Sequence, residues 1–159
     1  MLKNPYAADL AGRDPLQALA ETPGLIRQAV SSWSSSDFER SYAPGKWSFR
    51  QVLVHLAQAE LALSTRARFA LCEDGYQSQS FDQDAWMHVD NYADARSALD
   101  AYTSLRQFNL AMWRALTPEQ LARSFSHPEY GVLTVSWIME QMAGHDIHHL
   151  VQFQAGPQT

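Results

Sequence analysis

The segment WSFRQVLVHLAQAELALSTRARFALCEDG, which begins at Trp47, constrains the fold more than any other part of the chain. Its apolar residues recur at three- and four-residue intervals, through Val52, Leu56, Ala59 and Leu63, as in an amphipathic helix. Ser48 and Gln51 form a capping box at its start, each side chain satisfying the other residue's free backbone N–H. Gly75 stands just past its end, where helices commonly stop. Such a stripe has to be buried against other elements.

The same period recurs along the chain. Asp14 and Pro15 supply an N-cap and first-turn pair for a helix that pauses at Thr22-Pro23-Gly24, restarts there and continues to about Trp33. The polar stretch SSSDFERSYAPGK crosses to the capped segment. Residues 76–91 show neither helical nor strand period and read as a long loop. A third long helix spans about Ala93 to Leu116, and Thr117, Pro118 and Gln120 start a short turn of helix. SFSHPEYGV reads as a loop, and Thr134 caps a final helix that ends near Phe153, ahead of Gly156 and Pro157. No alternating strand, internal repeat or low-complexity tract is legible. The expectation is an all-α, four-helix bundle in one domain over residues 1–159, with its core at about 14–154.

Composition narrows the function classes. The 159 residues are 46% hydrophobic with five tryptophans, which argues for a packed core. A net charge of −5 and the lack of any Lys/Arg run argue against nucleic acid as a partner. With Cys72 as the single cysteine, neither an intramolecular disulfide nor a cysteine-based zinc site can form. MLKNPYAADLAGRDP lacks the apolar run of a signal peptide, and no window is apolar enough to span a membrane. A cytoplasmic protein with no membrane partner is expected.

Chemistry concentrates in GHDIHHLVQFQ, where His145 and His149 stand four residues apart on one helical face. Two imidazoles at that spacing can converge on one ion, but a catalytic site usually takes three protein ligands plus water. His55, flanked by Val54 and Leu56 with Val52 and Ala59 a turn away, points toward the bundle interior and is the natural third ligand. His148 stands three residues from His145 and could replace it or His149, although it lies about 100° round the helix from His149. His88 and His127 fall in loops and are expected to be solvated, with His127 in SHPEYG able to approach the site. A purely structural role in the core is the competing explanation for His55, His145 and His149.

In order and spacing, GKWSFRQVLVHLAQAE, FDQDAW, SHPEYG and GHDIHHLVQF resemble the DinB-like superfamily, over about residues 14–154. The similarity is greatest to the branch that contains bacillithiol S-transferases, described as metal-dependent hydrolases. The resemblance implies an up-down-down-up course, often a homodimer, and a divalent metal, Zn2+ or Ni2+, held by three histidines with open positions for water. By position the ligands are His55, His145 and His149, and His148 falls where the family repeats a histidine without using it.

A +2 charge held by neutral imidazoles makes a nearby water or thiol far more acidic, so thiol transfer and hydrolysis are both open. Metal-dependent transfer of a low-molecular-weight thiol to a small-molecule substrate, in detoxification or stress response, is the leading expectation. Hydrolysis of small amides or esters is the alternative, and a non-catalytic dimeric metal-binding bundle is the competing class. Arg66, eleven residues after His55 and on the same face, is a candidate receiver of a carboxylate or phosphate on the thiol, with a surface arginine that snorkels to solvent as the competing reading. The segment with Asp82, Gln83, Asp84 and Trp86 is placed to close the pocket mouth, with Trp86 equally suited to packing. Glu60 and Asp146 are candidates to orient the imidazoles, yet their helical angles point them elsewhere. Trp113 and Trp137 suit core packing or a dimer interface.

Overall fold

The computed structural model describes residues 4–157. The chain runs α1 (Ala7–Leu10), α2 (Pro15–Ala29), α3 (Ser35–Phe38), α4 (Phe49–Cys72), α5 (Gln83–Asp90), α6 (Ala95–Ala115), α7 (Pro118–Leu121), β1 (Ser124–His127), β2 (Gly131–Thr134) and α8 (Val135–Ala155). The four long helices form the bundle. Four caps are as expected, Asp14 for α2, the Ser48/Gln51 box for α4, the Thr117/Gln120 box for α7 and Thr134 for α8, while Asp94, expected inside the third long helix, caps α6.

Contacts at the helix ends fix the up-down-down-up course. Arg50 at the start of α4 donates to the Asn91 carbonyl (2.7 Å), just ahead of α6, so α4 and α6 run parallel. Phe49 packs on Phe153, 5.4 Å between centroids, which sets the start of α4 against the end of α8. Arg27 near the end of α2 pairs with Asp100 near the start of α6 (2.7 Å), so those two run antiparallel.

The core has two apolar parts stacked along the bundle. One gathers Leu19, Leu63, Ala67, Trp113 and Ile138, and the other Ile26, Phe49, Leu53, Leu56, Tyr102 and Phe153. Trp113 and Trp137 are 2% and 4% exposed, so both serve the core. Between the two parts each helix contributes buried polar groups: Thr22 from α2, His55 and Glu60 from α4, Arg106 and Asn109 from α6, and His145, Asp146 and His149 from α8. The candidate site is cut into this polar layer.

Four sequence expectations need correction. The first helix does not pause at Pro23 but runs unbroken to Ala29. Proline removes the N–H that would bond to the Leu19 carbonyl, and Arg106 donates to that carbonyl instead (2.9 Å). Residues 76–91 are not all loop: Asp82 caps α5, which buries Met87 and is tied to α4 by the Gln58–Asp90 hydrogen bond (2.7 Å). SFSHPEYGV carries a short antiparallel hairpin, with Phe125 facing Leu133 and a turn into Gly131 at φ +72°. Four-residue strands are too short to announce a period. His127, expected to be solvated, points inward from β1 and is 5% exposed. The short helices α1 and α3 also escaped the sequence reading.

Candidate metal centre

His55 enters from the second turn of α4, while His145 and His149 enter from successive turns of the antiparallel α8. Their Nε2 atoms converge: His55 to His145 is 2.8 Å and His145 to His149 is 3.1 Å. The three are 4%, 6% and 8% exposed. Burial pushes the His55 pKa down to about 3, helped by the neighbouring His149. Burial likewise brings His149 to about 4, against the raising effect of its Gln152 bond. His145 is driven well below the ordinary range by burial and its two imidazole neighbours. All three rings are therefore neutral near pH 7.

The donor set fits a metal ion. His149 Nδ1 faces Gln152 Oε1 at 2.8 Å, which only an N–H can satisfy, so its Nε2 carries the lone pair into the site. Neutral nitrogens crowded this closely, with few protons to share, match the spacing of ligands that each stand about 2.0–2.1 Å from one ion. Among the described residues these three form the one cluster arranged to hold a metal.

Aromatic rings frame the triad. Phe81 lies parallel to His55 at 6.1 Å, and Trp47 packs on His55 at 5.1 Å. Tyr6 packs on His145 and His148, at 5.1 and 5.6 Å. The Tyr6 backbone reaches this position because residue 144 is glycine: a Cβ there would lie 2.5 Å from the Tyr6 carbonyl oxygen.

Two cavities open beside the triad. One, of about 230 Å³, is bordered by His55, His145, Arg66, His127, Gln141 and Phe81, among others. The other, of about 300 Å³, is bordered by His55, His149, Tyr42, Trp47, Lys46 and Asp84, among others. Arg66 thus shares a cavity with His55, as its place on the helix predicts. Gln83 borders both cavities and Asp84 the second, but Asp82 and Trp86 border neither. Trp86 instead meets Phe81 edge-on at 5.0 Å, and His88 is exposed.

Glu60 and Asp146 do not orient the imidazoles through hydrogen bonds. Asp146 stands 4.0 Å from His145 Nδ1 and instead accepts from Arg106 (2.6 Å), Tyr102 (2.8 Å) and Thr22 (3.0 Å). Glu60 accepts from Arg106 and from Asn109 (2.9 Å). Burial raises the Glu60 pKa, and Arg106 opposes the rise. Sequence reasoning missed Arg106, Tyr6, Gln141 and Gln152. Arg106 alone left a signal, as a charged residue in the stripe through Leu99, Tyr102 and Trp113. His148 lies beside the triad, bonded to Gln152 (3.2 Å) and Asp9 (3.3 Å).

Comparison with known proteins identifies the family and a related fold. The DinB superfamily model matches residues 18–153. The "Putative metal-dependent hydrolase YfiT" of Bacillus subtilis is 29% identical over 138 residues, covering 85% of this chain and 78% of the relative. A protein of Oceanobacillus iheyensis, also named a "putative metal-dependent hydrolase", is 26% identical over 136 residues, covering 85% of this chain and 79% of its own. The solved YfiT structure, described as having "an unusual four-helix bundle topology", superposes with a TM-score of 0.81 at 28% identity, covering 87% of this chain and 81% of that one. Among the described residues no helix is long and apolar enough to cross a membrane.

Proposed function

The chain belongs to the DinB superfamily, and on that premise we propose that it is a metal-dependent enzyme that transfers a low-molecular-weight thiol to an electrophile. The observation that carries this reading is that buried neutral imidazoles converge on one point with cavity space on two sides of it. A closed structural site would surround its ion with four protein ligands and leave no such room.

His55, His145 and His149 would hold the ion, Zn2+ or Ni2+, through Nε2, with Gln152 fixing the ring of His149. A divalent ion there supplies the positive charge that favours a thiolate over a thiol at neutral pH. Arg66 receives the carboxylate or phosphate of the thiol, and Phe81 and Trp47 keep water from the ring of His55. The thiol gives up its proton, its sulfur bonds to the electrophilic carbon, and the leaving group departs with the bonding electron pair. Detoxification or stress response is the setting such chemistry suits. A homodimer belongs to the same proposal.

The test incubates zinc- or nickel-loaded protein with electrophiles and with bacillithiol, mycothiol or glutathione. Metal-dependent thiol consumption that disappears in His55→Ala is expected. Hydrolysis of small amides or esters without any thiol would replace this reading with the one in the relatives' names.

A further inference from the structure

We propose that two different molecules reach the triad through separate cavities, an anionic one from the Arg66 side and an uncharged aromatic one from the Trp47 side. The inference deepens the reading of an open metal site and rests on it. His55 borders both cavities, His145 only the first and His149 only the second. The residues common to both are Tyr6, His55 and Gln83, and they form the wall between them. That wall is built in, because the Tyr6 backbone is seated against Gly144 in a space where any Cβ would collide.

The first cavity is chemically an anion acceptor. Arg66 is 7% exposed and gives one N–H to the Gln79 carbonyl (2.7 Å). No carboxylate of the described residues lies within 4.0 Å of it. A guanidinium so withdrawn from water has further donors to satisfy. His127 accepts the Glu129 backbone N–H at Nδ1 (3.2 Å), so its neutral ring presents a donor at Nε2. Gln141, which also borders this cavity, has its Oε1 buried without a hydrogen-bond partner among the described residues. The bordering carboxylate, Glu129, stands at the exposed mouth and is held by the Ser80 hydroxyl (2.6 Å). A carboxylate carried past it would meet Arg66 and His127 together.

The second cavity has a different chemistry. Tyr6, Tyr42 and Trp47 give it aromatic walls, with Val52 beside them. Its charged rim residues, Lys46 and Asp84, are exposed and of opposite sign. Aromatic faces set among the polar groups of Gln83, His148, His149 and Gln152, with rim charges that cancel, select an uncharged aromatic molecule bearing polar groups over an anion.

The test uses two unreactive probes, succinate and benzamide, titrated into 15N-labelled protein in the presence of zinc and followed by NMR. Succinate is expected to move the side-chain signals of Arg66 and Gln141 and the backbone signals around His127. Benzamide is expected to move the Trp47 indole and Gln152 signals. Saturation with one probe should change the affinity for the other by less than about twofold, as uncoupled sites require. Arg66→Gln should weaken succinate about tenfold or more and leave benzamide unchanged, with Tyr42→Ala doing the reverse. Competition between the probes, one shared set of shifted signals, or no response to either overturns the proposal. Absence of thiol transfer while both probes still bind together would remove the proposed function and uphold this inference.

Discussion

A buried histidine normally needs a reason, and here three share one. Burial holds His55 at about 3, His149 at about 4 and His145 well below its ordinary value, so each ring is neutral in the fold. In the unfolded chain each would titrate near pH ~6.5. Between those limits the unfolded state binds more protons, so stability rises with pH. The metal-free protein is therefore expected to be most stable above pH ~6.5 and to lose on the order of a few kcal/mol as pH falls toward 4 and then 3. Urea midpoints measured across that range check it; a flat profile would mean the rings are solvated. The triad was legible in sequence because helical period turns spacing into facing. Its surroundings were not: Tyr6 and Gln141 acquire meaning only when the wall of a cavity is complete.

At the scale of elements, Arg106 ties α6 to three other helices. It bonds the Leu19 carbonyl that Pro23 leaves free, and it pairs with Glu60 and Asp146 while 1% exposed. Arg106→Leu leaves both carboxylates buried without their cation and should cost about 3–5 kcal/mol in chemical denaturation. Disrupting Arg27–Asp100, whose side chains are 50% and 67% exposed, should cost at most about 1 kcal/mol. The two glycines within long helices divide the same way. Gly24 has open space and lies on the exposed face of α2, so Gly24→Ala should stabilise by about 0.5–1 kcal/mol. Gly144→Ala should destabilise by about 1–3 kcal/mol and expose residues 4–12 to protease, because it displaces Tyr6. The capped helices were readable because a cap is a local hydrogen bond. The unbroken α2 was not, because the donor that rescues it lies 87 residues away.

Over the whole molecule, the polar layer separates two apolar cores, and the triad joins α4 to α8 across it. Zinc at a hundredfold excess over its dissociation constant should stabilise the protein by about 2.7 kcal/mol. That corresponds to a rise of roughly 5–10 °C in the thermal midpoint for a domain of this size. The rise should vanish in His55→Ala, and calorimetry with and without chelator decides the point. The bundle itself was legible from four apolar stripes. The layering was not, because it comes from the heights at which helices of opposite direction meet. With both carboxylates ionised, Arg106, Glu60 and Asp146 together hold one surplus negative charge in the interior. A dication arriving at the neighbouring imidazoles would reverse the sign of that interior. Anion binding beside Arg66 is therefore expected to be weaker in the metal-free protein than in the metal-loaded one.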